Sequence, residues 1–287
     1  MTHIKMKYIF ALIISAMLPF VAMSQSVIYD KQDSIRIKQI LHGANNTIPS
    51  TTGERIISIA NEFIGEEYVG RTLEHGTKEP LFISCTKLDC TTFVELVLAI
   101  AKTANDGSLL FTDVCSNLET IRYRNGKNNG YSSRLHYISW WITDSAKTGI
   151  IEEITPQISK HRQQQELNFM STHPDSYPML ADNAELVTEI ERLERPYRGI
   201  EVFYIPKDEL EYEGHENIKP GDIIAITTSI PGLDVTHIGI AYYDNGKLCL
   251  IHASSGKGKV IKETTPLREY LANNKRHTGI RVFRACF

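Results

Sequence analysis

Apolar positions recur at helical spacing in several stretches of the chain. Over Ser34 to Leu41, and again over Glu54 to Ile64 where Ile56, Ile57, Ala60, Phe63 and Ile64 share a side, the period predicts two helices joined by a Gly, Asn, Thr and Ser loop. The clearest repeat follows Thr91: Phe93, Leu96, Val97, Ile100 and Ala104 form one stripe. Asp89 stands where an N-cap belongs, so Cys90 is expected to be the first residue of that helix. Residues 65 to 88 show no sustained period and carry Gly65, Gly70, Gly76 and Pro80. Residues 105 to 220 are mixed, with a Trp140-Trp141 pair, helical patterning over Asp182 to Leu193 and proline-containing connections. From Gly221 the pattern becomes that of strands: Asp222 to Thr228 is an apolar run, His237 to Tyr243 alternates, and Leu248 to His252 follows Asp244-Asn245-Gly246. Asn-Gly between two such runs is a strong hairpin signal. There is no internal repeat. The pattern predicts an α+β fold in which the helix opened by Cys90 packs on an antiparallel sheet.

The N-terminus has a different character. Lys5 and Lys7 precede an apolar run from Tyr8 to Met23, and small residues follow at Ala22 and Ser24. This predicts a signal peptide over residues 1 to 24, since the run is short for the ~20 residues of a spanning helix and a polar stretch follows at once. No stable membrane anchor is then expected, and a periplasmic or secreted location is. Removing Lys5 and Lys7 leaves 29 basic against 34 acidic residues, a bias too small to suggest nucleic acid or an acidic membrane surface as partner. With 42% hydrophobic and 23% charged residues, the chain falls outside the disordered, collagenous and polytopic membrane classes. Five cysteines, Cys85, Cys90, Cys115, Cys249 and Cys286, are too few for a disulfide scaffold and leave at least one thiol free.

The hairpin carries chemistry. With Asn245 and Gly246 as its loop, Asp244 faces Lys247, Gly239 faces His252 and His237 faces Ser254, so His237 and His252 are diagonal neighbours on one face. Ala241 shares that face and makes it shallow, which is expected to let the start of the Cys90 helix approach. At a helix N-terminus the macrodipole favours thiolate over thiol. Cys90 as nucleophile, His237 as base and His252 as the group orienting the base satisfy the general requirement for covalent catalysis. Other readings of these residues stay open. One Cys and two His can ligate zinc, although no CxxC or HxxxH pair is present; each His can be an ordinary strand residue; and a Cys85–Cys90 disulfide would silence the thiol. The run Ser254 to Lys259 fails as a phosphate loop because the required earlier glycine is missing.

Asp89-Cys90-Thr91-Thr92-Phe93 opening a helix, Gly221-Asp222-Ile223-Ile224 opening a strand, His237-Ile238-Gly239-Ile240 on the next and His252 on the third resemble the NlpC-type papain-like peptidases of bacterial cell walls. The resemblance covers roughly residues 54 to 104 and 217 to 285. It implies a papain-like fold, Cys90 as nucleophile, His237 as base, His252 as third polar residue and no cofactor or metal. It also points to Tyr68 as a tyrosine near the oxyanion, beside the backbone N–H of Cys90. Two features depart from the usual pattern: Tyr68 precedes Cys90 by 22 residues, and an insertion over residues 105 to 216 separates helix from sheet. The domain organisation expected is a signal over 1 to 24 and one catalytic domain over 25 to 287.

That insertion resembles the N-acetylmuramoyl-L-alanine amidase-like branch of the class. The branch implies a muropeptide or anhydro-muropeptide substrate, cut between muramic acid and L-alanine. An endopeptidase acting between D-glutamate and the diamino acid of the stem is the alternative enzyme, and a non-catalytic wall-binding module is the alternative class. Arg122, Arg124, Lys127 and Arg134 fall in an acid-free stretch, where an anion can bind. Arg134, Tyr131 and Trp140 are the expected substrate contacts, the guanidinium gripping a stem carboxylate and the rings stacking on sugar. Tyr137 and Trp141 belong to the same aromatic group, which can equally be core.

Overall fold

The computed structural model describes residues 26–46, 51–74, 76 and 78–287. The expected signal over residues 1 to 24 lies outside them. The N-terminal part runs β1 (Val27–Ile28), α1 (Lys31–Asn46), α2 (Thr52–Asn61), β2 (Glu67–Tyr68), β3 (Leu81–Phe82), β4 (Lys87–Leu88) and α3 (Cys90–Asn105). The middle holds α4 (Phe111–Arg122), α5 (Ile138–Thr148), β5 (Ile151–Glu153), α6 (Thr155–Ile158), β6 (Arg162–Glu166), α7 (Phe169–Thr172), α8 (Ala184–Glu194), β7 (Arg198–Phe203) and β8 (Ile205–Pro206). The remainder is β9 (Ile223–Thr228), β10 (Val235–Asp244), β11 (Lys247–Ser254), β12 (Lys259–Lys262), α9 (Leu267–Ala272) and β13 (His277–Ala285).

Helix α3 starts where the sequence places it, and its cap explains why. The Asp89 carboxylate accepts from the backbone N–H of Thr91 at 3.1 Å and of Thr92 at 2.8 Å, while the Asp89 N–H donates to Thr92 Oγ1 at 2.9 Å. This reciprocal box satisfies helix-start donors that would otherwise be orphaned, a contribution of ~1 kcal/mol. Nearly every side chain from Thr92 to Ala101 is buried, because α1, α2 and α4 pack around one side of α3 and β10 and β11 around the other.

Among the described residues nine strands form the main sheet, in the order β4-β2-β12-β11-β10-β9-β13-β5, with β8 also paired to β13. The β10–β11 register is Asp244 opposite Lys247 through Ile240 opposite Ile251, as the Asn245-Gly246 turn requires. Asn245 and Gly246 take φ of 48° and 80°, the left-handed pair of a tight hairpin turn. Alternation along the strands divides the core. Ile238, Ile240, Ile251 and Ala253 face the cluster containing α3, whereas Ala241, Leu248 and Leu250 face a second cluster with Leu267 and Leu271 of α9. Ala241 therefore does not open a surface for α3, as the sequence suggested; α3 lies on the other face.

The middle segment is bolted to this core. Strands β5 and β8 both pair with β13, Arg281 of β13 forms a two-pronged ion pair with Glu153 of β5 at 2.9 Å, and Arg122 at the end of α4 reaches Glu95 of α3 at 2.7 Å with both side chains buried. Strands β6 and β7 pair with each other apart from the main sheet. Among the described residues no helix is long and apolar enough to cross a membrane.

Candidate active site

Cys90 sits partly exposed at the first turn of α3. It shares a cavity of about 110 Å³ with His237 and the adjoining segment Leu233 to Ile238, and the opposite wall comes from the middle of the chain, including His136, Ile138 and Trp141. Larger hollows, of about 620 Å³ along α8, about 550 Å³ between α1 and α2 and about 510 Å³ beside Gly53, contain neither Cys90 nor His237. The register of β10 against β9 shifts between Val235 and His237. Such an irregularity re-aims side chains, and here it occurs immediately before the histidine that must leave the sheet face to reach the helix start.

His237 Nε2 and His252 Nδ1 lie 2.6 Å apart, with ring centroids at 4.8 Å and planes at 82°. The diagonal placement expected from the hairpin brings the rings together. Gly239 is what permits it: a Cβ there would stand 3.1 Å from His252 Cβ. With Nε2 of His237 engaged, its Nδ1 is the nitrogen left to accept a proton. This requires Nε2–H of His237 to donate to Nδ1 of His252, placing the single ring proton of neutral His252 on Nε2, a buried atom with no hydrogen-bond partner among the described residues. Tyr270 of α9 closes over the pair, 5.6 Å from His252 and perpendicular to it, 6.4 Å from His237, and parallel to His277 at 6.2 Å. Sequence reading missed Tyr270 and His277, since nothing in their local pattern says that α9 folds back over the hairpin.

Burial sets the charges. It pushes His237 down to about 3, with help from His252 and His277, and His252 down to about 4 against an opposing pull from Glu263. Both imidazoles are therefore neutral near pH 7, which a proton acceptor must be. Burial also pushes the Cys90 thiol up to about 11, reinforced by the Asp89 charge and opposed by the Ile238 backbone N–H. This corrects the expectation of a depressed thiol: desolvation and Asp89 outweigh the helix start, and Cys90 rests protonated.

Tyr68 reaches the site through tertiary pairing. Strand β2 runs parallel to β4 with Tyr68 opposite Leu88, two residues before Cys90. Burial, then the charges of Cys90 and Asp89, push its hydroxyl up to about 12, so it is a donor at neutral pH. Asp222, in the Gly221-Asp222 motif, is structural: Arg284 clasps it at 2.8 and 2.7 Å. All five cysteines are free; Cys85 is buried and its N–H donates to Asp33 at 2.8 Å.

The three expected substrate contacts turn out differently. Trp140 is 0% exposed and packs edge-on against Tyr137 at 4.9 Å with Arg124 over its ring, so it is core. Tyr131 is buried against His136 at 4.4 Å, with Arg134 over its face at 4.8 Å. Arg134 is 5% exposed and held by Glu74 at 2.7 Å and Glu79 at 3.4 Å. The acid-free stretch finds its acids elsewhere in the chain, and its guanidinium braces the wall beside the site.

Among curated proteins none matches this sequence. Two solved structures are close in sequence and shape. One, described as an N-acetylmuramoyl-L-alanine amidase from Bacteroides uniformis, is 43% identical with a TM-score of 0.79, covering 82% of this chain and 98% of its own. Another, from Bacteroides fragilis and described provisionally as a xylanase, is 46% identical with a TM-score of 0.76, covering 79% and 99%. A Legionella pneumophila protein at 22% identity and a TM-score of 0.67, covering 89% and 95%, shares the fold. The family described as AmiA-like, N-acetylmuramoyl-L-alanine amidase-like, matches residues 58–280, most of the chain, and this protein belongs to it.

Proposed function

We propose that the protein is a cysteine amidase with a papain-like, NlpC-type core, hydrolysing the bond between N-acetylmuramic acid, or its anhydro form, and L-alanine in soluble peptidoglycan fragments. The observation that carries this is the joining of three groups: a helix-start thiol on one cavity with an imidazole whose far nitrogen is bonded to a second imidazole. As Cys90 Sγ attacks the lactyl carbonyl carbon, its proton passes to His237 Nδ1. The resulting oxyanion is met by the Cys90 backbone N–H, which has no intrahelical partner at the first turn, and by the Tyr68 hydroxyl. Collapse breaks the C–N bond while His237 protonates the departing L-alanine amine. Water, deprotonated by His237, then cleaves the thioester, releasing the sugar carboxylate and free thiol. His252 holds the His237 ring and favours the tautomer that leaves Nδ1 open.

The name xylanase, attached to one relative, implies a different chemistry, since glycoside hydrolysis usually needs two carboxylates flanking the bond. The cavity holds Glu95 and Asp234, but Glu95 is paired with Arg122, and Asp234 accepts from the Ser139 N–H at 2.7 Å. Both are occupied. The wall contributed by residues 135 to 141 closes one side of the cavity and favours a chain terminus over a continuous polymer, hence small fragments over intact sacculi. The N-terminal signal expected at residues 1 to 24 assigns the reaction to the periplasm or the exterior.

Mass spectrometry of digests tests the reading. Free sugar and a whole stem beginning with L-alanine are expected from small muropeptides, and Cys90→Ala should abolish their release while leaving the circular-dichroism melting curve in place. Cleavage between the second and third stem residues would make the enzyme an endopeptidase. Undiminished release by Cys90→Ala would sink the cysteine mechanism.

A further inference from the structure

Building on the amidase reading, we propose that Arg71 grips the free α-carboxylate of the stem residue that follows L-alanine, so that the enzyme discriminates against stems in which this group is amidated. A second cavity, of about 370 Å³, adjoins the one at Cys90 and shares Thr91, Glu95, Leu135 and His136 with it. In the proposed pose a stem whose first amide lies at Cys90 continues into this cavity, which begins one residue from the nucleophile. The first carboxylate it carries in is that of the second residue, a γ-linked D-glutamate.

The charges on the wall can be accounted for one by one. Arg134 is held by Glu74 and Glu79, Glu95 by Arg122, and Asp89 by the start of α3. Each of these groups is engaged by an opposite charge or by backbone donors. Arg71 differs from all of these. It lines the same cavity, is exposed, and has no carboxylate at ion-pair distance among the described residues. Glu74 Oε2, also on the wall, is a buried acceptor without a partner, placed to receive an amide N–H of a bound stem.

The backbone gives independent support. Three described residues other than glycine have positive φ; two are asparagines, which tolerate it, and the third is Arg71 at 62°. A long unbranched side chain is disfavoured in that region, and strain of this kind persists where the side chain is needed. Glycine at position 71 would relieve the strain and lose the guanidinium.

The test compares two muropeptides that differ only in D-isoglutamate or D-isoglutamine at the second stem position. Wild type is expected to favour the carboxylate form in kcat/KM by about tenfold or more, chiefly through KM, the scale of a charge-assisted two-pronged contact. Arg71→Ala and Arg71→Gly should lose that factor on the carboxylate stem and much less on the amidated one, so that the two rates converge; Arg71→Lys should keep part of the preference, and Arg71→Gly should melt no lower than wild type. Equal rates on both stems in wild type, or a preference surviving in Arg71→Ala, would overturn the assignment while leaving the amidase reading intact. Should wild type cleave neither stem, the amidase reading fails, and calorimetric titration of the Cys90→Ala protein with both muropeptides still decides the role of Arg71: tighter binding of the carboxylate form that disappears on adding Arg71→Ala upholds it, and equal binding refutes it.

Discussion

Cys90, His237 and His252 all rest uncharged because burial penalises each ion, and in the proposed mechanism the proton held by Cys90 passes to His237 Nδ1. The unequal roles of the two imidazoles predict unequal losses. His237→Ala should abolish turnover, whereas His252→Ala removes position and tautomer and should retain activity above that of Cys90→Ala; His252→Asn, able to bond the ring, should recover part of the difference in single-turnover rates. The depressed imidazoles also predict acid sensitivity. Below about pH 6.5 the unfolded chain binds protons that folded His237 and His252 refuse until about 3 and 4, so the stability they contribute is complete above 6.5 and is lost as pH falls towards those values. Urea midpoints at pH 7.5 and 5.0 should show the drop, and a His237→Gln/His252→Gln variant a smaller one. The meeting of these rings is legible in sequence because a two-residue turn fixes strand register. The pairing of Arg134 is not, because its acids arrive from residues 74 and 79, on a loop without periodicity.

The same contrast holds for whole elements. The helix opened by Cys90 and the β10–β11 hairpin announce themselves through a cap and a turn, which are local chemistry. Strands β2, β3 and β4 have two residues each, too few to show any period, and they pair with partners distant in sequence. Which sheet face α3 covers is equally hidden, since alternation distinguishes two faces without saying what lies on each. Between the elements, Gly239 sets how closely β10 can approach His252. Gly239→Ala is expected to push His252 by a few tenths of an ångström and lower kcat by ~10- to 100-fold, since misplacements of that order disturb reacting geometry. Its melting temperature should change little, and a loss of stability without loss of rate would contradict the positioning role.

Across the whole molecule, the middle segment expected as an insertion contributes strands β5 and β8 to the sheet and anchors α4 to α3 through a buried ion pair. Arg122→Met should destabilise by ~3 to 5 kcal/mol, because Glu95 is left buried and unpaired. Arg162→Met, losing an exposed pair with Glu201, should stay within ~0.5 kcal/mol; equal losses in chemical denaturation would argue that the segment is held by something else. The position of β13 has a temporal consequence. It follows β5, β8 and β9 in sequence yet lies between β9 and β5, and it supplies Arg281 to Glu153 and Arg284 to Asp222. While a ribosome is still making the chain, β5, β8 and β9 wait with open edges, and the buried Asp222 and the half-buried Glu153 wait without their cations. Until residues 277–285 emerge the sheet is incomplete, which opens a window in which proteases and chaperones compete for the nascent polypeptide.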